Sequence, residues 1–378
     1  MAKRNKKTKD INLAKIRIVG VGGAGGNAAT RMSEDFPRGV DSVVINTDIQ
    51  DLNFCVARKK VYIGKNLTKG LGTGMNPDLG RQAAEENQAE IAEALSGADM
   101  VFLTAGFGGG TGTGALPVVA DIARDLSILT VAVITKPFIF EGFERKRVAD
   151  EGMMRLKDKV DTLITIPNDR IFSVINKNTP LTKAFEAVDE ILKNSVIGVA
   201  DLIATTGIIN VDFADVKAII QNAGSAIIGI GKATGGERAA TAAHLAINSP
   251  LLEISIDGAK RILFSVSGHR DLKMSEVNDV ARMISEHANS SAKIIFGAHH
   301  DRKLKKGELK VTLIAADFNG DSMKISNNGI LPNLFISEEI VPANEAKESG
   351  KKEKKEKNEE EKSDDVYDIP AFLRKKKR

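Results

Sequence analysis

The chain has 378 residues, 42% of them apolar, with 54 Lys and Arg against 50 Asp and Glu for a formal net charge of +4. That length exceeds what one hydrophobic core usually serves, so two folded domains are expected, and the mild charge, spread between a basic head and a basic tail, is no nucleic-acid signature. The single cysteine, Cys55, excludes an intrachain disulfide and fits a buried thiol in a reducing compartment; no apolar run approaches a membrane span, and the one after "MAKRNKKTKD" is too short for a secretory signal core.

Short apolar runs at 16–21, 42–47, 99–105, 129–135 and 161–166 predict strands, with helical patterns between them. Their apolar residues are consecutive rather than alternating, as strands buried on both faces of a parallel sheet require, so the class is α/β and doubly wound. Next, "NTPLTKAFEAVDEILKNSVIGVADLIATTG" predicts one long helix. Thr179 is its expected cap, Pro180 opens its first turn, Gly207 terminates it, and Leu181, Phe185, Val188, Leu192, Val196, Val199 and Leu202 make its apolar face. From Pro180 to Ala204 such a helix spans roughly 35–40 Å. Strands at 225–231, 261–268, 292–297 and 309–318, with helices near 236–248 and 274–288, then predict a smaller α+β domain. From about Glu338 the mixed-charge run "KESGKKEKKEKNEEEKSDD" is expected to be a disordered linker, before "DDVYDIPAFLRKKKR" regains apolar residues.

Two stretches raise a chemical question. "GFGGGTGTG" (Gly106 to Gly114) packs six glycines and two threonines into nine residues, and "GVGGAGGN" (Gly20 to Asn27) precedes it. Glycine loops that follow strands let backbone N–H groups converge on phosphate oxygens, with the next helix N-terminus adding partial positive charge. Gly20, Gly22 and Gly25 satisfy the dinucleotide fingerprint, and Asp48 lies near where the acidic ribose ligand of such sites falls, so a nicotinamide-dependent oxidoreductase is one reading. A Rossmann half has no second glycine loop, however, and the Walker lysine of G-x-x-x-x-G-K-S/T is missing from the sequence. Two loops at the ends of neighbouring strands would hold a polyphosphate by backbone alone, with Thr111 and Thr113 adding hydroxyls.

"GGGTGTG" at 108–114 resembles the signature of the tubulin superfamily, and the chain looks like its bacterial cell-division GTPases from about Lys15 to Phe318 and again at "DIPAFLR". "NTDIQDL" (46–52), "LTKGLGTGMNPDLG" (67–80), "TKPFIFEG" (135–142), "IPNDR" (166–170), "NVDFADV" (210–216) and "SPLLE" (249–253) carry the likeness in order. It implies a tubulin-like fold and GTP/GDP with Mg²⁺ as ligands. Gly22, Gly23 and Gly26 would approach the phosphates, with Gly108, Gly109, Gly110, Thr111, Gly112 and Thr113 around the outer ones and Thr73 and Gly74 sensing the terminal one. Glu141 and Arg145 match ribose and phosphate contacts, and Asn27, Asn168, Phe185 and Asp189 match base contacts. The chemistry agrees, because the Asp189 carboxylate would accept from guanine N1–H and N2–H, a donor pair adenine lacks, and Phe185 offers a stacking face. Core packing on the long helix is the other reading of Phe185. Ala24, Thr73 and Met75 of "GTGM", Phe143, Glu144 and Val188 depart from the family pattern, and Arg147 is an alternative to Arg145.

The likeness also implies boundaries: a basic extension at 1–12, a GTP-binding domain at 13–177, the central helix at 178–206, an α+β domain at 207–318, a linker at 319–363 and an adaptor-binding peptide at 364–378. In "NVDFADV", Asn210 or Asp212 reads as a helix cap, and Asp215 as an acid favoured by the helix dipole. The long helix places all three tens of ångströms from a nucleotide held at Phe185 and Asp189, so they cannot act on their own subunit's nucleotide. On the next subunit of a head-to-tail filament they would be catalytic carboxylates and amide, which the resemblance also implies. A nucleotide-binding scaffold without hydrolysis is the remaining alternative. In the tail, Asp368 caps a short turn containing Pro370, Ile369, Phe372 and Leu373 share one side, and Arg374 begins a basic end. The resemblance makes this the docking peptide for a membrane-attached division adaptor, and implies division regulators as further partners and a cytoplasmic protein at the midcell ring. The five histidines lack metal-ligand spacing, and no residue is expected to be a metal ligand.

Overall fold

The computed structural model describes residues 14–318 except 174, 177, 206, 250, 251, 253, 254 and 302. The expected basic extension, the linker and the docking peptide with Asp368, Ile369, Pro370, Phe372, Leu373 and Arg374 lie outside the described residues.

Ten strands are described: β1 (Ile16–Val21), β2 (Val40–Asn46), β3 (Lys59–Tyr62), β4 (Met100–Gly106), β5 (Leu129–Lys136), β6 (Thr162–Pro167), β7 (Gly224–Thr234), β8 (Arg261–Gly268), β9 (Lys293–His300) and β10 (Glu308–Ala316). The helices are α1 (Gly22–Met32), α2 (Ile49–Phe54), α3 (Lys65–Thr68), α4 (Pro77–Glu86), α5 (Gln88–Leu95), α6 (Thr111–Asp125), α7 (Phe143–Lys157), α8 (Leu181–Ala204), α9 (Phe213–Ile220), α10 (Arg238–Ile247) and α11 (Met274–His287). One continuous mixed sheet runs in the order β3-β2-β1-β4-β5-β6-β7-β10-β8-β9. Its β1-to-β6 half is parallel throughout and doubly wound, with strands covered on both faces as their apolar runs demand. β7 joins it by a short parallel register, Thr162 to Gly224 through Ile164 to Ala226, and β10 then pairs antiparallel with both β7 and β8.

The expected strands recur within a few residues, and β3 is an additional strand. "KKVY" is four residues long with two lysines, a composition that suits an exposed sheet edge and leaves little apolar signal. Helix α8 also differs at its ends. Pro180, with ψ of 145°, is its cap residue rather than part of its first turn, Thr179 therefore lies one position outside, and the helix stops at Ala204 before reaching Gly207.

Successive residues of the central strands feed two cores. Ile18, Met100, Phe102, Val131 and Val133 pack under α1 and α8, while Val19, Val101, Leu103, Ala132 and Ile134 pack under α4, α5 and α6. Leu192, Val196, Val199 and Ala200 of α8 share the first core with Ile164 of β6, Ile228 of β7 and Ile314 of β10. This helix therefore ties the parallel and antiparallel halves together, and its length fixes how far apart their functional loops stand. A third core lies under α10 and α11. Arg238 is buried there at 4% exposure, clamped by Glu276 at 2.6 and 2.9 Å and by Asp271 at 2.9 Å. Cys55 is buried, and burial is the main cause pushing its thiol up from the ordinary cysteine value. His299 is buried with its ring nitrogens near the Ser265 and Ser267 hydroxyls, whereas His300 is exposed, so the adjacent histidines point opposite ways as strand residues must.

Candidate nucleotide site

Both glycine loops end strands at the same edge of the sheet, and each opens a helix whose cap residue makes no side-chain hydrogen bond: Val21 before α1 and Gly110 before α6. The first-turn N–H groups of these two helices are thus left for a ligand, and the helix dipoles favour an anion there. By contrast the caps of α2 and α4 are filled, since Asp48 accepts from Gln50 and Asp51 N–H and Asn76 accepts from Asp78 and Leu79 N–H. The Asp48 carboxylate therefore serves α2 rather than standing free for a dinucleotide ribose.

The loops touch. Gly22 has φ of +71°, and a Cβ there would lie 2.9 Å from the Gly112 nitrogen, so both conformation and space require glycine. At Gly110 a Cβ would meet the Thr73 hydroxyl at 2.1 Å and the Asn76 nitrogen at 2.7 Å, which packs the 67–76 segment onto the start of α6. The Thr111 hydroxyl lies 2.7 Å from that of Thr47 and 3.2 Å from that of Thr73, and these three buried hydroxyls fasten the segment to the loop. Asp51 stands beside Gly23 and hydrogen-bonds Asn46 Nδ2; its carboxyl is pushed above the ordinary value by burial first and by the Asp48 charge second.

Between these loops and α8 lies a cleft of about 440 Å³. It is lined at the loop end by Gly22, Gly23, Thr73, Gly109, Gly110, Thr111 and Gly112, and farther out by Glu141, Arg145, Asn168, Phe185 and Asp189. Glu141 receives the Phe138 N–H at 2.9 Å and the Arg145 guanidinium at 2.5 Å, so each orients the other. Arg147 is held instead by Glu144 and Glu151, outside the cleft lining. Phe185 is 41% exposed and meets Phe138 edge-on at 5.5 Å, which makes it rim rather than core. Asp189 is paired with Arg31 of α1. The buried Asn168 Oδ1 and Thr104 Oγ1 have no hydrogen-bond partner among the described residues.

Five candidates lie outside the lining. Gly26 faces Cys55 and Val44, where a Cβ would come within 2.9 and 3.1 Å. Asn27 is exposed on α1, Gly74 has φ of +54° with open space around it, and Gly108 has φ of +98° against the Arg145 backbone. The Thr113 hydroxyl accepts from Gly108 N–H at 3.0 Å and so braces the loop from inside. The sequence reading missed Thr47, Thr104 and Thr135. A threonine inside a wholly apolar strand such as "MVFLTAG" is the only signal that would have found one of them.

Asn210, Asp212 and Asp215 sit beyond the far end of α8. From Asp189 to Ala204 the axis alone covers roughly 22 Å. Asp212 occupies the cap position of α9, yet its exposed carboxylate makes no cap hydrogen bond, and Asn210 Oδ1 receives the Gly207 N–H at 2.6 Å instead. Among the described residues no candidate of the cleft is brought near this acidic loop.

A cleft with two uncapped helix ends at one side and a carboxylate, an amide and an aromatic ring at the other has the chemistry to hold a nucleotide. Family comparison agrees. The GTPase domain of the Tubulin/FtsZ family matches residues 15–176, and the C-terminal domain of the FtsZ family matches residues 224–319. Among solved structures the chain is similar to an empty FtsZ dimer from M. jannaschii, with 48% identity over 80% of this chain and 88% of that one and a TM-score of 0.77. A point mutant of the same FtsZ gives 47% identity over 80% and 91% with a TM-score of 0.77. The GTPγS-bound protofilament of CetZ2 from Haloferax volcanii, at 23% identity over 80% and 92% with a TM-score of 0.69, shares the fold. With two family models covering most of its length and solved relatives near half identity, the chain belongs to the FtsZ family of tubulin-like GTPases.

Proposed function

We propose that the chain binds GTP in this cleft and hydrolyses it to GDP and phosphate at a head-to-tail contact between two copies. The observation that carries the reading is the separation by α8 of a nucleotide-shaped cleft from three exposed polar residues that its own nucleotide cannot reach. In a filament, Asn210, Asp212 and Asp215 of one copy would meet the phosphate end of the next. There the carboxylates would orient and polarise a water for in-line attack on the γ-phosphate, while backbone N–H groups at Gly22, Gly23 and Gly109 to Gly112 hold the charge that develops. The Asp51 carboxylate beside Gly23 and the Thr47, Thr73 and Thr111 hydroxyls are oxygen groups compatible with a Mg²⁺ carried mainly by phosphate oxygens and water; when bound it would neutralise phosphate charge.

Exposed apolar residues support such a contact. Leu71, Met75, Ile139, Phe140 and Phe143 stand on the segments that supply Thr73, Glu141 and Arg145, and Ile208 stands beside Asn210. The solved relatives include an FtsZ dimer and a CetZ2 protofilament, and repeated without closure such a heterologous contact makes a filament. The oxidoreductase reading is disfavoured because Asp48 is committed to capping α2, and the pure scaffold reading because the Asp212 carboxylate is not used as a cap.

Filaments of this chain would form the cytoplasmic division ring at midcell, under division regulators, with the 364–378 peptide docking on a membrane-attached adaptor. Light scattering with parallel phosphate release after adding GTP, ATP or NADH tests the core claim: only GTP should raise both, and release per subunit should climb with protein concentration above a threshold. A rate per subunit that is flat down to full dilution would sink the shared site. Deleting residues 364–378 should leave GTP turnover in solution unchanged and abolish recruitment to adaptor-bearing membranes; equal recruitment would refute the docking role.

A further inference from the structure

Thr104 has no part in the reading above. It lies in β4, is fully buried, lines the cleft, and carries a hydroxyl without a hydrogen-bond partner among the described residues. Strand alternation explains its direction. Val101, Leu103 and Ala105 belong to the core under α6, and Met100 and Phe102 to the core under α1 and α8, so Thr104 continues the second row at the point where that row opens into the cleft. Its register partners are Gly20 on β1 and Val133 on β5, neither of which offers a polar side chain. The first turn of α1 closes over it so tightly that a Cβ at Gly25 would lie 2.4 Å from the Thr104 carbonyl oxygen.

Packing gives no reason for a hydroxyl at this position. Burying one unpaired is unfavourable, and a valine of the same shape would fill the space without that cost. A ligand that supplies the missing partner removes the penalty. The position also says which part of a nucleotide would do so. Thr104 is on the sheet face that carries α1, whose first turn closes over it, and α8, whose Val188, Asp189 and Leu192 wall the outer end of the cleft, whereas α6 and its glycine loop pack on the opposite face of β4.

We propose that Thr104 is a binding residue for the part of the nucleotide that GTP and GDP share, its hydroxyl hydrogen-bonding the sugar or the inner phosphate beneath the first turn of α1. The inference rests on the assignment of the cleft to a guanine nucleotide. Its test compares full-length wild type, Thr104→Val and Thr104→Ser, each stripped of nucleotide, by calorimetric titration with GTP and with GDP and by thermal melting without nucleotide. Thr104→Val should weaken both nucleotides about tenfold, equivalent to 1.4 kcal/mol, while its nucleotide-free melting point stays level or rises. Thr104→Ser, which keeps the hydroxyl, should bind within about threefold of wild type. Unchanged affinity in Thr104→Val overturns the proposal, as does a loss confined to GTP, which would put the contact on the terminal phosphate. A fall in the nucleotide-free melting point alongside affinity also overturns it, since the hydroxyl would then be structural. Wild type that binds neither nucleotide overturns the reading of the cleft itself, and that result is seen before any variant is compared.

Discussion

The two ends of α8 are built differently. At its N-terminal end polar groups are crowded and mutually engaged: Thr47, Thr73 and Thr111 share hydroxyl contacts, Glu141 holds Arg145, and Asp189 is paired with Arg31. Beyond its C-terminal end Asp212 and Asp215 stand exposed, with no side-chain hydrogen bond or ion pair among the described residues. A pocket is preorganised by such internal bonds, and bare carboxylates keep their hydration until something arrives to use them. Under the function proposed above, the contrast makes binding a property of one copy and hydrolysis a property of two.

The strongest way to break the comparison is to disable the built end. At Gly109 a Cβ meets nothing within 4 Å, so Gly109→Ser should fold normally while its side chain enters phosphate space. GTP affinity should fall at least about 100-fold, or about 2.7 kcal/mol, with an unchanged melting point. Binding close to wild type by titration would show that the phosphates lie elsewhere.

Disabling the bare end should do the reverse. Asp212→Ala should bind GTP as wild type does and lose at least about tenfold in turnover, about 1.4 kcal/mol of barrier. Mixing the two variants sharpens the contrast, because an Asp212→Ala pocket can be served by the intact acidic loop of a Gly109→Ser copy. Phosphate release should therefore recover in the mixture, provided that the Gly109→Ser copy still joins filaments; no recovery in filaments shown to contain both would count against a shared site.

The smallest effect concerns the rod between the ends. Asp201 of α8 has its carboxyl pushed up to about 6, chiefly by burial, with Lys310 opposing the shift and Asp301 adding to it. An unfolded aspartate titrates near 3.9, so the folded chain holds an extra proton between about pH 4 and pH 6. The stability this proton contributes is full below about pH 4 and lost as pH rises through 6. Asp201→Asn should then stabilise the protein at pH 7.5 by about 1 kcal/mol, the gain being limited because Lys310 loses its countercharge, and the gain should vanish at pH 4. Denaturant midpoints at the two pH values decide it: an equal gain at both would show that ionisation of Asp201 is not the cause.

Much of the glycine-loop end of the cleft was legible in the sequence. Glycines that follow apolar strands have few other uses, and Gly22, Gly110 and Gly112 do crowd against backbone and neighbouring loops as the motif requires. That Glu141, Asn168, Phe185 and Asp189 line the same cleft was legible only through motif resemblance, since they come from segments far apart in the chain and share no local pattern. Thr104 was not legible, because nothing in a strand's sequence says that one of its buried side chains opens into a cleft. Gly26, a phosphate candidate by its place in the loop, packs against Cys55 and Val44, a direction set by the helical turn that begins at Gly22.

By itself the sequence determined the parallel α/β half, the position of both glycine loops and the length of α8, because consecutive apolar runs, bare backbone and a 3.6-residue apolar stripe are local properties of the chain. Only the tertiary structure decided that β7 extends the same sheet and that α8 buries its stripe across both halves. It also decided that Asp48 is spent on α2 while Asp212 has no side-chain partner among the described residues. These depend on which groups meet after long-range pairing, and a hydrogen bond or its absence is a fact about neighbours that residue order does not carry.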